Sequence, residues 1–140
     1  MTFLLDTNAI SEWQKLRPNR GVLAWMDATD EDSLFLSIVT LAELRYGIER
    51  MTVGGRRRRY EQWLEYELPL RFEGRILSLG PAIADAWGRL VARGAAAGRP
   101  INAMDAFLAA TAEVHRLTLV TRNVSHFVVL KEVFNPWTET

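Results

Sequence analysis

The chain contains no cysteine and only two histidines, His115 and His126. Disulfides, thiolate zinc sites and cysteine nucleophiles are therefore excluded, and a histidine-rich metal site has too few ligands. Neither sign of charge dominates: 17 Lys plus Arg balance 17 Asp plus Glu. Bulk basicity is thus no argument for nucleic-acid binding, although a local basic patch can coexist with acids elsewhere. No stretch reaches the roughly 20 apolar residues needed to cross a bilayer. Asp6 interrupts the apolar start before a signal-peptide core can form. The expectation is a cytoplasmic protein. Repeats and low-complexity tracts are also missing, and "GGRRRR" lacks the Lys-Ser/Thr ending of a phosphate-binding loop.

Apolar residues in helical and strand periods are what the chain does have. At 140 residues and 49% hydrophobic, it can bury one sizeable core, so the simplest division is a single domain, 1–140. Residues 2–5 are strand-like. Leu34 to Val39 is β-rich, Arg75 to Leu79 is a short candidate strand, Thr118 to Thr121 is compact and apolar, and Glu132 to Asn135 is a possible last strand. Between them fall helical patterns over Thr7–Lys15, Val22–Ala28, Arg56–Tyr66, Pro81–Gly94 and Asn102–Arg116. A further helix opens at Thr40, where Thr40-Leu41-Ala42-Glu43 has the Thr-x-x-Glu pattern of a capping box. Pro69 is expected to end or kink the helix before it. Strands alternating with helices give an α/β fold with a mostly parallel sheet.

Ligand sites on such sheets gather at the C-terminal ends of the strands. Asp6 ends the first strand. Glu43 falls in the first turn of the helix after the second, and Asp105 in the first turn of a later helix. Asn123 follows the strand that ends at Thr121. Each acid also has an ordinary explanation: a turn or a cap for Asp6, the capping box for Glu43, an acid in the first turn for Asp105. Their coincidence on one edge is what points to chemistry. Two unit charges about 4 Å apart repel by about 4 kcal/mol at an effective dielectric of about 20. Protonation of one acid would relieve that repulsion; so would a hard divalent cation such as Mg²⁺ or Mn²⁺, which prefers carboxylate oxygen.

With these residues located, the chain resembles the PIN-domain family, and within it the VapC-like (FitB-like) toxins of type II toxin–antitoxin systems. The segments that carry the resemblance are "LLDTNAISE", "LSIVTLAELRYGI" and "GRPINAMDAFLAATAEVHRLTLVTRNVSHF", in the family's order over nearly the whole chain. The resemblance implies a three-layer α/β/α sandwich with a central mostly parallel sheet. It also implies an Mg²⁺- or Mn²⁺-dependent endoribonuclease that hydrolyses RNA phosphodiester bonds with a metal-activated water. Its partners would be an RNA substrate and a VapB-like antitoxin protein, in a homodimer or in a heterotetramer or larger assembly. Asp6, Glu43 and Asp105 match the family's acids and are the implied metal ligands. Asn8 and Thr121 match motif positions that orient those ligands. Many relatives carry a fourth acid where this chain has Asn123, which offers an amide oxygen and no charge. One tightly held ion, with another arriving with substrate, is then expected.

Around this site, Arg56 to Arg59 with Tyr60, Trp63 and Tyr66 could face RNA, form a solvated helix face, or line a groove for an antitoxin segment. His126 reads as structural or exposed rather than as a general base. Trp87 fits a core stripe, and Trp137 either closes the sheet edge or belongs to a partner-binding tail. Two alternatives to the toxin stand beside it: a PIN-domain RNA-processing nuclease, and a non-catalytic RNA- or partner-binding PIN-like module. A phosphatase with an Asp nucleophile fits poorly, because "DTN" lacks the second acid two residues on.

Overall fold

A computed structural model describes residues 1–138, so the last two residues of the expected 1–140 domain lie outside the described residues. Five strands form the sheet: β1 (Phe3–Leu5), β2 (Leu34–Ser37), β3 (Ile76–Leu77), β4 (Thr118–Val120) and β5 (Val133–Phe134). All pairings are parallel, in the order β3-β2-β1-β4-β5. The chain therefore leaves β1 toward β2 and β3, then crosses back to place β4 on the other side of β1. The gap between β1 and β4 is a topological switch point, the usual location of a ligand site in an open α/β sheet.

Strand side chains alternate between two cores, as a period of two requires. Leu5 and Val120, opposite each other in the β1–β4 register, join one core; Leu4 and Leu119, one residue earlier, join the other. The first core lies under α1 (Thr7–Ser11), α2 (Arg20–Ala28), the later half of α3 (Ile38–Glu49) and the run from α4 (Gly55–Gln62) to α5 (Leu68–Arg71). The second lies under α6 (Pro81–Ala96) and α7 (Ala103–His115). Helices on both faces of the sheet complete the α/β/α sandwich. Alanines 106, 109, 110 and 112 of α7 are buried, which lets that helix lie close to the sheet. Trp87 packs on this side, stacked on Phe107 at 5.3 Å, with its indole N–H donating to the Ala103 carbonyl at 3.1 Å. Trp137 packs against the first core.

Three sequence expectations change. The helix after β2 begins at Ile38, capped by the Ser37 hydroxyl, which accepts from Val39 N–H at 3.0 Å. Thr40 is its third residue rather than its cap, so the capping box does not form and Glu43 sits in the second turn. The β-branched Ile38 and Val39 read as strand in isolation, but here they pack in the first helical turn. Second, of the two outcomes expected at Pro69, an end or a kink, the end does not occur: the helical run continues to Arg71. A π-helical turn, Trp63–Glu67, precedes the proline, and a widened turn is one way to fit a residue that lacks an N–H. Third, the expected helix over Thr7–Lys15 is an α-helix only to Ser11 and a 3₁₀ turn over Glu12–Gln14.

Close approach of backbone fixes Gly21, as it does Gly94, where a Cβ would meet the Arg99 carbonyl oxygen at 2.7 Å. A Cβ on Gly21 would meet the Pro136 carbonyl oxygen at 2.4 Å. The segment after β5 thus lies directly on the start of α2, where the Asn19 side chain accepts from Thr138 N–H at 3.1 Å.

Candidate active site

The short β1 delivers Asp6 to the C-terminal edge of the sheet, where its N–H still bonds the Val120 carbonyl at 2.9 Å. Its carboxylate is only 7% exposed. One oxygen accepts from Thr7 N–H at 2.7 Å and the other from the Thr121 hydroxyl at 2.7 Å. Asp6 therefore does start α1, as the ordinary reading expects, while also facing the end of β4.

Thr121 is the hub beneath it. Its hydroxyl donates to Asp6 and accepts from Asn123 N–H at 3.0 Å and Asn8 Nδ2 at 3.4 Å. The Asn8 side-chain oxygen Oδ1 in turn accepts from Arg122 N–H at 3.4 Å. Asn8 and Thr121 thus sit where the sequence placed them, behind Asp6. Asn123 enters this network through its backbone; its exposed side chain makes no hydrogen bond among the described residues.

Glu43 reaches the same edge from α3. Its Oε1 accepts from the Thr7 hydroxyl at 2.7 Å, which ties the second acid to the first through one intervening residue. Asp105 comes from the N-terminus of α7. Its N–H donates to Asn102 Oδ1 at 2.9 Å, and its Oδ2 accepts from Asn102 Nδ2 at 2.8 Å. His126 Nδ1 lies 3.3 Å from the same oxygen.

Burial pushes the Asp6 carboxyl above its ordinary value. The bonds from Thr121 and Thr7 oppose the shift, Asp105 adds repulsion and His126 offsets part of it. Burial also pushes Glu43 up, opposed by the Thr7 bond and reinforced by Asp6 and Asp105. The hydrogen bonds and the desolvation are of comparable size, which leaves a net shift in the direction of the desolvation. A bond to a charged group contributes about 1.5–3 kcal/mol, whereas removing an ion from water costs several kcal/mol even after relaxation. Among the described residues, no Lys or Arg lies within ion-pairing distance of Asp6, Glu43 or Asp105. Three carboxylates therefore share one edge, with the His126 ring 3.3 Å from Asp105 and Lys15, Arg56 and Arg99 only in the flanking depressions.

This donor set suits a hard divalent cation: it is all oxygen, partly desolvated and short of positive charge. Glu43 Oε2 and Asp105 Oδ1 have no protein donor among the described residues. The side chains do not form a finished cage, since no three acids or histidines among the described residues converge tightly enough to hold an ion as they stand. The fit is one of chemistry and placement, with Glu43 and Asp105 held back by Thr7 and Asn102.

Thr7, Asn102 and His126 are the residues that sequence reasoning left out of the site. Thr7 and Asn102 had a local signal, the first adjacent to Asp6 and the second three residues before Asp105 at a cap position. His126 had none, because its approach to Asp105 depends on how the turn after β4 folds back on α7.

Two depressions flank the acids. One of about 600 Å³ lies on the Asp105 side and includes Arg99, Asn102 and His126. The other, of about 350 Å³, lies on the Glu43 side. The arginine run divides between roles. Arg57 bonds Glu49 at 2.8 Å and the Met51 carbonyl at 3.1 Å, so it fastens α4 to the end of α3. Trp63 is buried in the first core. Arg56 and Tyr60 line the depression beside Glu43.

Comparison with known proteins agrees with this architecture. A family model for the PIN domain matches residues 3–129. VapC ribonuclease Y4jK of Sinorhizobium fredii is 38% identical over 135 residues, covering 96% of each chain. Toxin FitB of Neisseria gonorrhoeae is 38% identical over 135 residues, covering 96% of this chain and 97% of FitB. The solved structure of FitAB bound to the IR36 DNA fragment includes a chain that superposes with a TM-score of 0.92 at 34% identity, covering 99% of this chain and 98% of that one.

Proposed function

Because the chain belongs to the PIN-domain family, we propose that it is a divalent-metal-dependent endoribonuclease and the toxin of a toxin–antitoxin pair. The observation that carries this reading is a buried Asp6 that feels the charges of Asp105 and Glu43 while, among the described residues, no Lys or Arg lies within ion-pairing distance of the three. Such a cluster is costly to a metal-free fold and useful only to a ligand of opposite charge.

In this reading Asp6 and Asp105 hold Mg²⁺ or Mn²⁺, and Glu43 holds a second ion or orients the attacking water. When bound, the cation offsets the acids' repulsion, acidifies water and stabilises charge on the scissile phosphate. Thr121 and the Thr7 amide favour the ionised form of the Asp6 carboxylate against its burial and fix its direction, and Asn8 and the Asn123 amide hold Thr121 in its rotamer. Asn102 orients Asp105 in the same way. The Thr7 hydroxyl holds Glu43 Oε1, and Oε2 would be the oxygen open to the ion or its water. Attack in line leaves a 5′-phosphate and a 3′-hydroxyl.

The partner is proposed by likeness. A toxin of this kind is held inactive by an antitoxin, in a homodimer or a larger hetero-oligomer, and FitB, similar over nearly its full length, is a toxin. Among the described residues no helix is long and apolar enough to cross a membrane.

Purified protein incubated with single-stranded RNA and Mg²⁺, Mn²⁺ or EDTA tests the proposal. Cleavage with metal, none in EDTA, and a loss of more than about 100-fold in Asp6→Asn and Asp105→Asn are expected. Full activity in either variant sinks the site assignment. Undiminished cleavage in EDTA sinks the metal requirement. RNA binding without cleavage by the wild type favours the non-catalytic module.

A further inference from the structure

The depression on the Glu43 side has a composition that the three acids do not explain. It is bordered by Thr7, Glu43, Lys15, Gly47, Arg56 and Tyr60, so it opens directly from the site. Lys15 is 51% exposed and is held at the rim by Glu12, whose carboxylate is 2% exposed and also accepts from Asn19 N–H at 2.8 Å. Arg56 has no carboxylate within 4.0 Å among the described residues. Its guanidinium lies 5.9 Å from the centre of the Tyr60 ring. Two cations and a partly exposed aromatic ring thus border a pocket that also holds Glu43, one of the three candidate catalytic acids.

Gly47 supplies the other wall. It lies one helical turn beyond Glu43 on the same face of α3, and a Cβ there would meet nothing within 4 Å. A glycine inside a helix costs about 1 kcal/mol relative to alanine. No packing constraint demands one here. What the missing side chain provides is room beside Glu43.

We propose that this pocket is a subsite for the nucleotide flanking the cleaved bond of a single-stranded RNA. Arg56 and Lys15 take its phosphate, and Tyr60 with the Arg56 plane presents a stacking surface to its base. Backbone phosphates require cations, and unpaired bases require exposed π-faces. Both are here within one pocket, and an acidic or purely apolar ligand would leave one of them unused. The inference rests on the nuclease reading above and adds to it the place and chemistry of substrate recognition. It also accounts for the arginine run: Arg56 serves substrate and Arg57 serves the fold.

The test separates the subsite from the chemistry. Gly47→Leu fills the pocket without clashing and favours helix; Arg56→Ala removes the unpaired cation. Gly88→Leu on α6, where a Cβ also meets nothing within 4 Å, is the control outside the site. Each is assayed with Mn²⁺ on a single-stranded RNA and on bis(p-nitrophenyl) phosphate, which can reach the acids without filling the pocket. For RNA, Gly47→Leu and Arg56→Ala are expected to lower kcat/KM about 10-fold, mainly through KM, and Arg56→Ala to reduce the salt dependence by about one phosphate contact. Hydrolysis of the small diester stays within about twofold of wild type in all variants, as its binding uses no pocket contact. RNA cleavage at the wild-type rate in both pocket variants overturns the subsite and leaves the nuclease reading intact. Equal losses on both substrates overturn it too, since they mean damage to the acids. If the variants cleave RNA normally but escape inhibition by the co-expressed antitoxin, the pocket belongs to a protein partner and the proposal falls. A wild type that cleaves neither substrate brings down the nuclease reading and the subsite with it.

Discussion

The Thr121 hydroxyl donates to Asp6 Oδ2 at 2.7 Å, joining the ends of β4 and β1 across 115 positions of sequence. Both residues are buried, so the bond is shielded from water and each partner depends on the other. Thr121→Val keeps the shape and removes the donor. It also leaves Asn123 N–H and Asn8 Nδ2 without their acceptor. A loss of about 1–3 kcal/mol in unfolding free energy is expected, with cleavage down about 10- to 100-fold. Thr121→Ser should recover most of both. Urea unfolding and single-turnover cleavage measure the pair, and a Val variant as active as wild type would show that Asp6 needs no such support.

The raised Asp6 and Glu43 carboxyls set the sign of a pH effect. Their ordinary values are 3.8 and 4.5, and in each case burial is the largest cause of the increase. The folded state then binds these protons more tightly than the unfolded chain does. Their contribution to stability is full below the ordinary values and is lost as pH rises through the higher folded ones. In EDTA, stability owed to this pair should therefore decline from about pH 4 upward. Asp6→Asn should flatten that decline. Mn²⁺ should reverse it in the wild type, adding about 2.7 kcal/mol at a concentration 100 times its Kd, and should do little for Asp6→Asn. Cleavage should rise with pH over the same acidic limb as the ligands ionise. Thermal unfolding from pH 4 to pH 8, with and without Mn²⁺, reads all of this; equal slopes for wild type and Asp6→Asn in EDTA would contradict it.

Asn123 and Asn102 are expected to rank opposite to their sequence signals. Asn123 stands where the family resemblance led to the expectation of a fourth acid, yet only its backbone N–H reaches the network, at 3.0 Å from Thr121 Oγ1. Asn102 carries no such signal, yet its side chain holds both the amide and the carboxylate of Asp105. Asn123→Ala should change cleavage by less than about threefold, while Asn102→Ala should cost about 10-fold or more and lower the melting temperature through loss of an N-cap. A severe Asn123→Ala defect would mean that its side chain turns inward on the substrate complex.

The legible parts of the fold and site were those with a local cause. Apolar runs ending on Asp6 and Thr121 marked β1 and β4. Helix α7 was readable from Asn102 as its cap, and the acid three residues on followed the same logic. Where propensity competed with packing, the reading slipped. Ile38 and Val39 favour strand by side-chain shape, yet they open α3, so its cap is Ser37 rather than Thr40 and Glu43 falls in the second turn. Pro69 looked like a stop or a kink, but a π turn absorbs it. His126 could not be assigned to Asp105 because no periodicity governs the turn that carries it. The site was visible in outline because its acids end regular elements, while the residues that orient them are matters of tertiary contact.

Arg57 and Arg58 are neighbours in one charged run with different surroundings, which makes them a direct test of how such a run is read. Arg57 is partly buried and bonds both Glu49 and the Met51 carbonyl, closing the turn between α3 and α4. Arg58 is exposed and has no carboxylate within 4.0 Å among the described residues. A surface ion pair contributes at most about 1 kcal/mol, and the bond to a backbone carbonyl adds about as much again. Arg57→Ala should therefore destabilise by about 1–2 kcal/mol, with RNA kcat/KM within about twofold of wild type once the protein is held below its melting range. Arg58→Ala should leave stability within about 0.5 kcal/mol and weaken RNA cleavage only through general charge, a loss that disappears at high salt. An Arg57→Ala variant of unchanged stability and impaired cleavage would move that residue from the fold to the substrate.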